Sequence, residues 1–383
     1  MPASLTARAH QRLNEIDAAA WNALLPNDNP FVGHAFLSGL EEHGCLHPRR
    51  GWNPHHVALY RGDELVAAAP CYLKGNSHGE YVFDWSWAGA YERNGLDYYP
   101  KLLSAVPYSP VTGPRLLVGQ SDDAPLLRQL LLECLRTQTD SNGLSSVHLN
   151  FADDTDAAAF GDANDWLPRF DWQFHWRNAG WGDFSEFLGA MSSKKRKNIR
   201  QEREHVARAG VTCEILHGDE MSAADWRTVH AFYESTFDEK GNYPALTLPF
   251  FEHLGRAMPR RVLAVIARRG TSPIAAALLL RSSDTLYGRY WGSSENIPGL
   301  HFEVCYYQGI DYCLRNGLAC FEPGAQGEHK LARGFLPTIT RSFHYLADAR
   351  FRKAIGDALR REAVALQDYR EELMSHSPYA HSP

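Results

Sequence analysis

The residues most suited to chemistry are concentrated in one short stretch of the C-terminal half. Between positions 322 and 333, polar and charged side chains are interleaved with glycines: Glu322, Gln326, Glu328, His329, Lys330 and Arg333. Glycines let a backbone approach a ligand, while these side chains can take a proton from an amine or hold an anion. We predict that His329 or Glu328 is a general base and that Lys330 and Arg333 hold an anion. The alternative interpretation is a solvated polar turn.

Two neighbouring segments carry residues that suit the same site. Alternation along the strand Tyr287–Gly292 places Tyr290 on the same face as two glycines, which leaves room for a ligand, and Trp291 on the other face. The helix that begins at His301–Glu303 carries Tyr306 and Tyr307, and a helix N-terminus favours anions. Aromatic packing of the strand and a plain first-turn acid at Glu303 are the alternatives. No spacing typical of a metal site is present, and we predict none.

A run of cations precedes these segments in the chain. Six basic residues fall within ten positions: Lys194, Lys195, Arg196, Lys197, Arg200 and Arg203. Because adjacent cations repel one another, the run favours a surface that binds phosphates. A solvated helical face, with Glu202 and Glu204 as partners, is the alternative.

The predicted elements around these residues occur in the same order in both halves of the chain. That order is two helices, a three-stranded meander, a helix and a strand. We predict the first meander at 55–60, 65–70 and 81–85, followed by a helix at 91–103 and a strand at 115–118. We predict the second at 262–267, 274–280 and 286–291, followed by a helix at 302–316 and a strand at 319–322. This order is typical of an α+β fold in tandem. The expected domains are 1–178, 179–347 with the site, and a C-terminal helix and tail at 348–383.

Composition limits the classes of protein to consider. The chain has 383 residues, is 44% hydrophobic and carries a net charge of -6, so two well-packed domains are expected and a DNA-coating protein is not. Seven cysteines form no C-x-x-C pair, which indicates reduced thiols and a cytoplasmic location. The most apolar stretch, Val262–Leu280, is interrupted by arginines, so we expect no transmembrane segment. The sequence leaves peripheral contact with a membrane as an alternative.

Several sequence strings resemble a known group of proteins. They are Met191–Arg200, Tyr287–Gly292, His301–Glu303 with Cys305–Tyr307, Glu322–Lys330 with Arg333–Pro337 and, in the first half, Trp85–Trp87, Tyr98–Lys101 and Pro110–Arg115. Together with the element order, they resemble the Fem-like group of the GNAT acyltransferase superfamily, which is labelled for peptidoglycan biosynthesis or recognition. The resemblance implies two tandem GNAT-like domains, each a mixed sheet flanked by helices.

The resemblance also implies a reaction. An amine of an amino acid, a peptide or a muropeptide would attack an acyl or aminoacyl carbonyl. Backbone amides near Tyr290 would hold the oxyanion, and Tyr306 or Tyr307 would protonate the leaving group. The loop that binds the coenzyme A pyrophosphate in ordinary members is absent from the sequence. The donor, acyl-CoA or aminoacyl-tRNA, therefore stays open, as do a non-catalytic module that binds cell-wall peptides and an RNA-binding protein that uses residues 194–203.

Overall fold

A computed structural model describes residues 5–161, 165–239, 241, 243–325 and 327–380, with the backbone alone at 238 and 239. The chain forms two compact units, Met1–Asp171 with Ile339–Asp368, and Trp172–Thr338 with Tyr369–Pro383. The sequence predicts contiguous domains, whereas the last strand and the last helix each contribute residues to both units. Sequence patterns cannot show that one strand or helix is shared between two units, because they indicate only where each element begins and ends.

The first unit is built mainly on short strands. Its described elements, in chain order, are β1 (Leu5–His10), α1 (Ala18–Ala23), α2 (His34–Glu42), β2 (Trp52–Pro54), β3 (His56–Arg61), β4 (Glu64–Ala69), β5 (Cys71–Lys74), α3 (Trp85–Arg93), β6 (Lys101–Ser104), α4 (Ala124–Ser141), β7 (Ser146–Ala152), α5 (Asp154–Ala159) and the start of β8 (Leu167–Arg177). The strands pair as β1-β3-β4 and as β2-β5-β6-β7, and only β6 and β7 run parallel. Leucines of α4 are buried among the core residues of this unit.

The second unit contains the residues singled out above. Its elements continue from β8 as α6 (Phe184–Ala190), α7 (Ser193–Arg208), β9 (Val211–His217), α8 (Ala223–Glu239), α9 (Leu248–Ala257), β10 (Val262–Arg269), β11 (Ser272–Arg281), β12 (Thr285–Ser293), α10 (Leu300–Phe302), a π-helical segment (Glu303–Tyr307), α11 (Gln308–Asn316), β13 (Cys320–Glu322), a 3-10 helix (Glu328–Arg333), β14 (Leu336–Leu346) and α12 (Ala349–Ser375). The strands pair in the order β8-β13-β12-β11-β10-β9, and β12 with β13 is the parallel pair. The predicted α+β class is confirmed.

Three predicted elements of the first half are wrong. The segment 81–85 is not a strand: Tyr81 has a φ of 62° and Trp85 begins α3. The predicted helix at 91–103 ends at Arg93, because Gly95 adopts a φ of 70° and the chain then extends into β6. Residues 115–118 form an isolated bridge from Leu117 to Ala68 instead of a strand. All three lie where turn residues, rather than hydrophobic periodicity, decide the backbone path.

Candidate active site

The sheet of the second unit opens beside β12. Parallel pairing between β12 and β13 extends from Thr285 only to Tyr287, opposite Glu322, while β12 continues to Ser293. On its other side, the register of β12 with β11 shifts between Leu278 and Leu279, so Arg289 is an extra residue in the β12 strand. Such a bulge bends a strand and redirects its side chains. β12 and β13 therefore separate beyond Tyr287, in the middle of the sheet.

A cavity of about 90 Å³ lies at this opening. Its lining includes four of the residues predicted from the sequence, Tyr290, Trp291, His301 and Tyr306. Three of these rings form a connected cluster, with His301 centred 4.7 Å from Trp291 and 5.3 Å from Tyr306. The predicted proximity of β12 to the glycine-rich segment is also found, because Pro323 completes one wall.

The π-helical segment explains which tyrosine reaches the cavity. A wider π turn changes the direction of successive side chains relative to an α-helix, and π turns are frequent at functional sites. Here Cys305 and Tyr306 line the cavity, whereas Tyr307 donates a hydrogen bond to Glu202 on α7. Glu303 accepts from Arg203 at 3.0 and 3.1 Å, beside a different cavity of about 370 Å³. The Tyr306 side chain therefore lines the cavity, whereas the side chains of Glu303 and Tyr307 contact residues of α7.

Tyr306 and His329 form a hydrogen bond of 2.9 Å between the phenol oxygen and Nε2. Burial raises the pKa of Tyr306, so the phenol keeps its proton. Partial desolvation, together with the neighbouring cations of Lys330 and Arg333, lowers the pKa of His329 below its ordinary value. A neutral imidazole beside a neutral phenol is an arrangement that can accept a proton and return it.

Lys330 is buried under the glycine-rich segment. Its Nζ donates to the backbone oxygens of Gly324 at 2.7 Å and Ala325 at 3.2 Å. Burial and the nearby Arg289 cation lower its pKa to about 7. The backbone at Gly324 and Gly327 has φ values of 91° and 106°, which favour glycine. Lys330 thus holds the loop in place from beneath.

The other residues predicted in this segment lie in different surroundings. Glu322 is buried, and its Oε2 is 3.7 Å from the NH2 group of Arg289. Glu328 is exposed and accepts a hydrogen bond of 2.5 Å from Tyr369 on α12. Gln326 lies outside the described residues. Of the two predicted bases, the structure brings only His329 into contact with a group that lines the cavity.

Arg333 and Glu202 form an ion pair that sequence reasoning did not assign to the site. The guanidinium donates to Glu202 at 2.5 and 3.2 Å, and it also donates to the backbone oxygen of His329 at 2.7 Å. No sequence signal marks Glu202, since an acid on a basic helix resembles an ordinary surface partner. Arg289 and Cys305 also line the cavity without having been predicted as site residues.

The cations of α7 differ in their surroundings. Arg196 donates to the backbone oxygen of Met191 at 3.0 Å. Arg203 and Arg208 pair with carboxylates. Within the described ranges, no carboxylate lies at ion-pair distance from the remaining members of the run: Lys194, Lys195, Lys197 and Arg200. These four residues are called the α7 cation patch below.

The described part of the chain contains neither a metal-binding cluster nor a membrane-spanning helix. No group of three or more His, Cys, Asp or Glu side chains there is arranged to hold a metal ion. No helix in that part has both the length and the hydropathy needed to span a membrane.

The chain forms an α+β fold that known structures share. FemX aligns with 92% of this chain and 100% of its own, at 12% identity and a TM-score of 0.53. The C-terminal domain of a putative lysylphosphatidylglycerol synthetase from Agrobacterium fabrum aligns with 90% and 96%, at 14% identity and a TM-score of 0.53. A protein of unknown function from Bacteroides thetaiotaomicron aligns with 90% and 100%, at 10% identity and a TM-score of 0.51. At such identities the likeness shows the fold alone.

The family follows from the sequence itself. Residues 12–381 match the FemAB-like family, described as peptidoglycan biosynthesis/recognition. The chain therefore belongs to that family, and the predicted resemblance is confirmed. No curated protein matches the sequence significantly.

Proposed function

We propose that this protein is an aminoacyltransferase that joins an aminoacyl group to an amine of a cell-wall precursor peptide. The observation that carries the proposal is the Tyr306–His329 hydrogen bond at the cavity where β12 and β13 separate. Membership of a peptidoglycan family supports the class of acceptor. The opened sheet supports acyl transfer, since an extended carbonyl compound can lie between the separated strands.

The proposed reaction uses the two side chains as a proton relay. The acceptor amine attacks the ester carbonyl, and the C–N bond forms as a proton passes from nitrogen to the oxygen of Tyr306. The proton of Tyr306 moves to Nε2 of His329 in the same step. When the tetrahedral intermediate collapses, the C–O bond breaks and the relay runs backwards, returning a proton to the leaving oxygen. Such positioned acid–base catalysis contributes roughly 10²–10⁴-fold to a rate.

The backbone of β12 supplies the group that we propose for the oxyanion. Ser294 N–H donates to Ile274 on β11, so alternation directs the N–H and C=O of Trp291 away from β11. Thr236 donates to the Trp291 carbonyl at 2.6 Å, which agrees with this direction. The Trp291 N–H is then aimed at the opening. A preorganised donor at such a position is worth about 3–4 kcal/mol in comparable enzymes.

For the donor, we infer aminoacyl-tRNA over acyl-CoA. Coenzyme A would need exposed amides ahead of α10, but a Cβ at Gly299 would lie 2.8 Å from the backbone oxygen of Glu202, so α7 packs directly against the residue that precedes α10. The α7 cation patch supports a large polyanionic donor instead. Aminoacyl-tRNA and nucleotide-linked precursors are made in the cytoplasm, and all seven cysteines are free thiols, so we place the reaction there.

The test is a transfer assay with each donor supplied separately. Purified protein is mixed with a muramyl-pentapeptide nucleotide and either a pool of aminoacyl-tRNAs or a set of acyl-CoAs, and the products are read by mass spectrometry. We expect a mass increase of one amino acid with the tRNA pool. Tyr306→Phe and His329→Gln should each lower kcat about 10²-fold or more, because either change interrupts the relay.

A matched control lies on α11, which follows the π-helical segment directly. Tyr312 and His217 form a second Tyr–His hydrogen bond, 3.2 Å long, away from the cavity. Tyr312→Phe removes an equivalent hydroxyl and should leave kcat within about twofold. Equal losses in both tyrosine variants would contradict the relay. Stabilisation by the muramyl peptide without any transfer would instead assign the protein to recognition.

A further inference from the structure

One carboxylate on α7 contacts the neighbours of both relay residues. Glu202 Oε2 accepts hydrogen bonds from the hydroxyl of Tyr307 and from Nε of Arg333, and Oε1 accepts from NH2 of Arg333. Tyr307 follows Tyr306 directly in the π-helical segment. Arg333 lies one turn after His329 in the 3-10 helix. Glu202 therefore connects the two short helices that carry the relay.

The hydrogen bonds of Arg333 restrict the position of the His329 backbone relative to Glu202. Its guanidinium uses Nε and NH2 on Glu202 and NH1 on the backbone oxygen of His329, at 2.7 Å. The same group lies 3.2 Å from the ring centre of Phe302, which precedes the π-helical segment. Bidentate arginine–carboxylate pairs fix geometry as well as adding energy. The Arg333 side chain is only 10% exposed, so solvent screens the pair little.

The backbone of Glu202 packs against Gly299, the residue that precedes α10. Gly299 adopts a φ of 88° and comes so close to α7 that a Cβ there would lie 2.8 Å from the Glu202 oxygen. Only glycine allows this approach, so the position of Glu202 relative to the start of α10 is set by the backbone.

We propose that Glu202 is a positioning residue, which sets the Tyr306–His329 hydrogen bond through Tyr307 on one side and Arg333 on the other. The proposal rests on the proposed function for its catalytic meaning. The relay needs both side chains at hydrogen-bond distance from each other and from the amine, and misplacement by about 1 Å can cost 10²-fold in rate. Because Glu202 and the α7 cation patch share one helix, donor binding and relay geometry are joined in a single rigid element.

The test compares Glu202→Gln with a control two residues along the same helix. Among the described residues Glu204 pairs only with Arg208, and both side chains are exposed, so Glu204→Gln makes the same chemical change away from the relay. We expect Glu202→Gln to lower kcat about 10- to 100-fold while KM for aminoacyl-tRNA stays within about twofold, because the cation patch is intact. Glu204→Gln should match the wild type in both quantities.

A second readout does not depend on turnover. The imidazole ¹⁵N signals of His329, assigned by their loss in His329→Gln, report whether one tautomer is held by Tyr306. We expect a fixed tautomer in the wild type and in Glu204→Gln, and averaging of two tautomers in Glu202→Gln. Tyr307→Phe, which removes one hydroxyl, should give an intermediate spectrum if Glu202→Gln does not fold.

The outcomes separate the two proposals. If the wild type transfers nothing but its His329 tautomer is fixed and is released in Glu202→Gln, the positioning role stands and the proposed function fails. If the wild type is active and Glu202→Gln retains both its kcat and a fixed tautomer, the positioning role is overturned while the proposed function remains.

Discussion

At the scale of single residues, the first unit contains a buried group of charges. Lys101 is fully buried and donates to Glu80 at 2.8 Å, to Asp84 at 2.5 Å and to Ser77 at 3.0 Å. Although burial alone would lower it, the pKa of Lys101 is raised by the two carboxylates. Burial raises the pKa of Glu80 to about 7, so this acid depends on its lysine partners to stay ionised. Removing one partner leaves the others desolvated and uncompensated.

We therefore expect Lys101→Met to destabilise the protein by about 3–5 kcal/mol, the usual cost of breaking a buried ion pair from one side. Lys353→Met, at an exposed position on α12, should change the free energy of unfolding by less than about 0.5 kcal/mol. Urea titration followed by tryptophan fluorescence measures both. A loss below about 1 kcal/mol for Lys101→Met would mean that the cluster is solvated.

The sequence indicates residue types but not their contacts. His329 was predicted for its place in the glycine-rich segment, and Tyr306 for its place on the helix that begins at His301. Lys330 was predicted to hold an anion, yet its Nζ donates to two loop carbonyls, a role that depends on a fold the sequence does not show. Glu202 was missed because its partners are more than a hundred residues away along the chain.

At the scale of elements, local patterns predicted the strand pairs β3–β4 and β10–β11, strand β12 and the C-terminal helix. The π-helical segment and the bulge at Arg289 could not be predicted in this way, since each changes the backbone by one residue and leaves the hydrophobic pattern unchanged. Those two irregularities direct Tyr306 into the cavity and separate β12 from β13. The chemistry thus depends on the parts of the fold with the weakest sequence signal.

The α7 cation patch leads to a prediction about salt. Each cation that contacts a phosphate contributes about 0.7–0.9 to the slope of log affinity against log salt concentration. Replacing Lys194, Lys195 and Lys197 by Gln should reduce the slope for tRNA by about 2 to 3, measured by filter binding from low to physiological salt. The same change in charge on α12, at Lys353, Arg361 and Arg370, should leave the slope unaltered. An unaltered slope in the α7 variant would show that the patch is a solvated helix face.

At the scale of the whole molecule, each unit buries its own core, and the core of the second unit is richer in aromatic residues than the mainly aliphatic core of the first. The sequence predicted this tandem arrangement from a repeated order of elements. It did not predict that β14 and α12 each cross from one unit to the other, because neither crossing alters the local pattern. The boundaries predicted at 178 and 347 fall between elements, whereas the two units share β8, β14 and α12.

Buried histidines make stability depend on pH in both units. Burial, reinforced by other charges, lowers the pKa of His148 and of His175 to about 3 and holds that of His344 well below its ordinary value. Between pH of about 6.5 and 3, the unfolded chain binds protons at these residues that the folded protein does not. Each histidine therefore removes up to about 1.4 kcal/mol of stability per pH unit as the pH falls through this range.

His175 isolates this effect in the second unit, where the cations of Arg177, Arg289 and Lys330 reinforce burial. His175→Gln should be less stable than the wild type at pH 7, because Gln fills the buried position less well. Below pH 6.5 the deficit should shrink by about 1.4 kcal/mol per pH unit, since the variant has no histidine left to protonate on unfolding. Urea titrations at pH 7, 6, 5 and 4 measure it, with the exposed His376→Gln as the control. A deficit that stays constant down to pH 4 would mean that His175 takes up its proton over the same pH range in the folded and the unfolded protein.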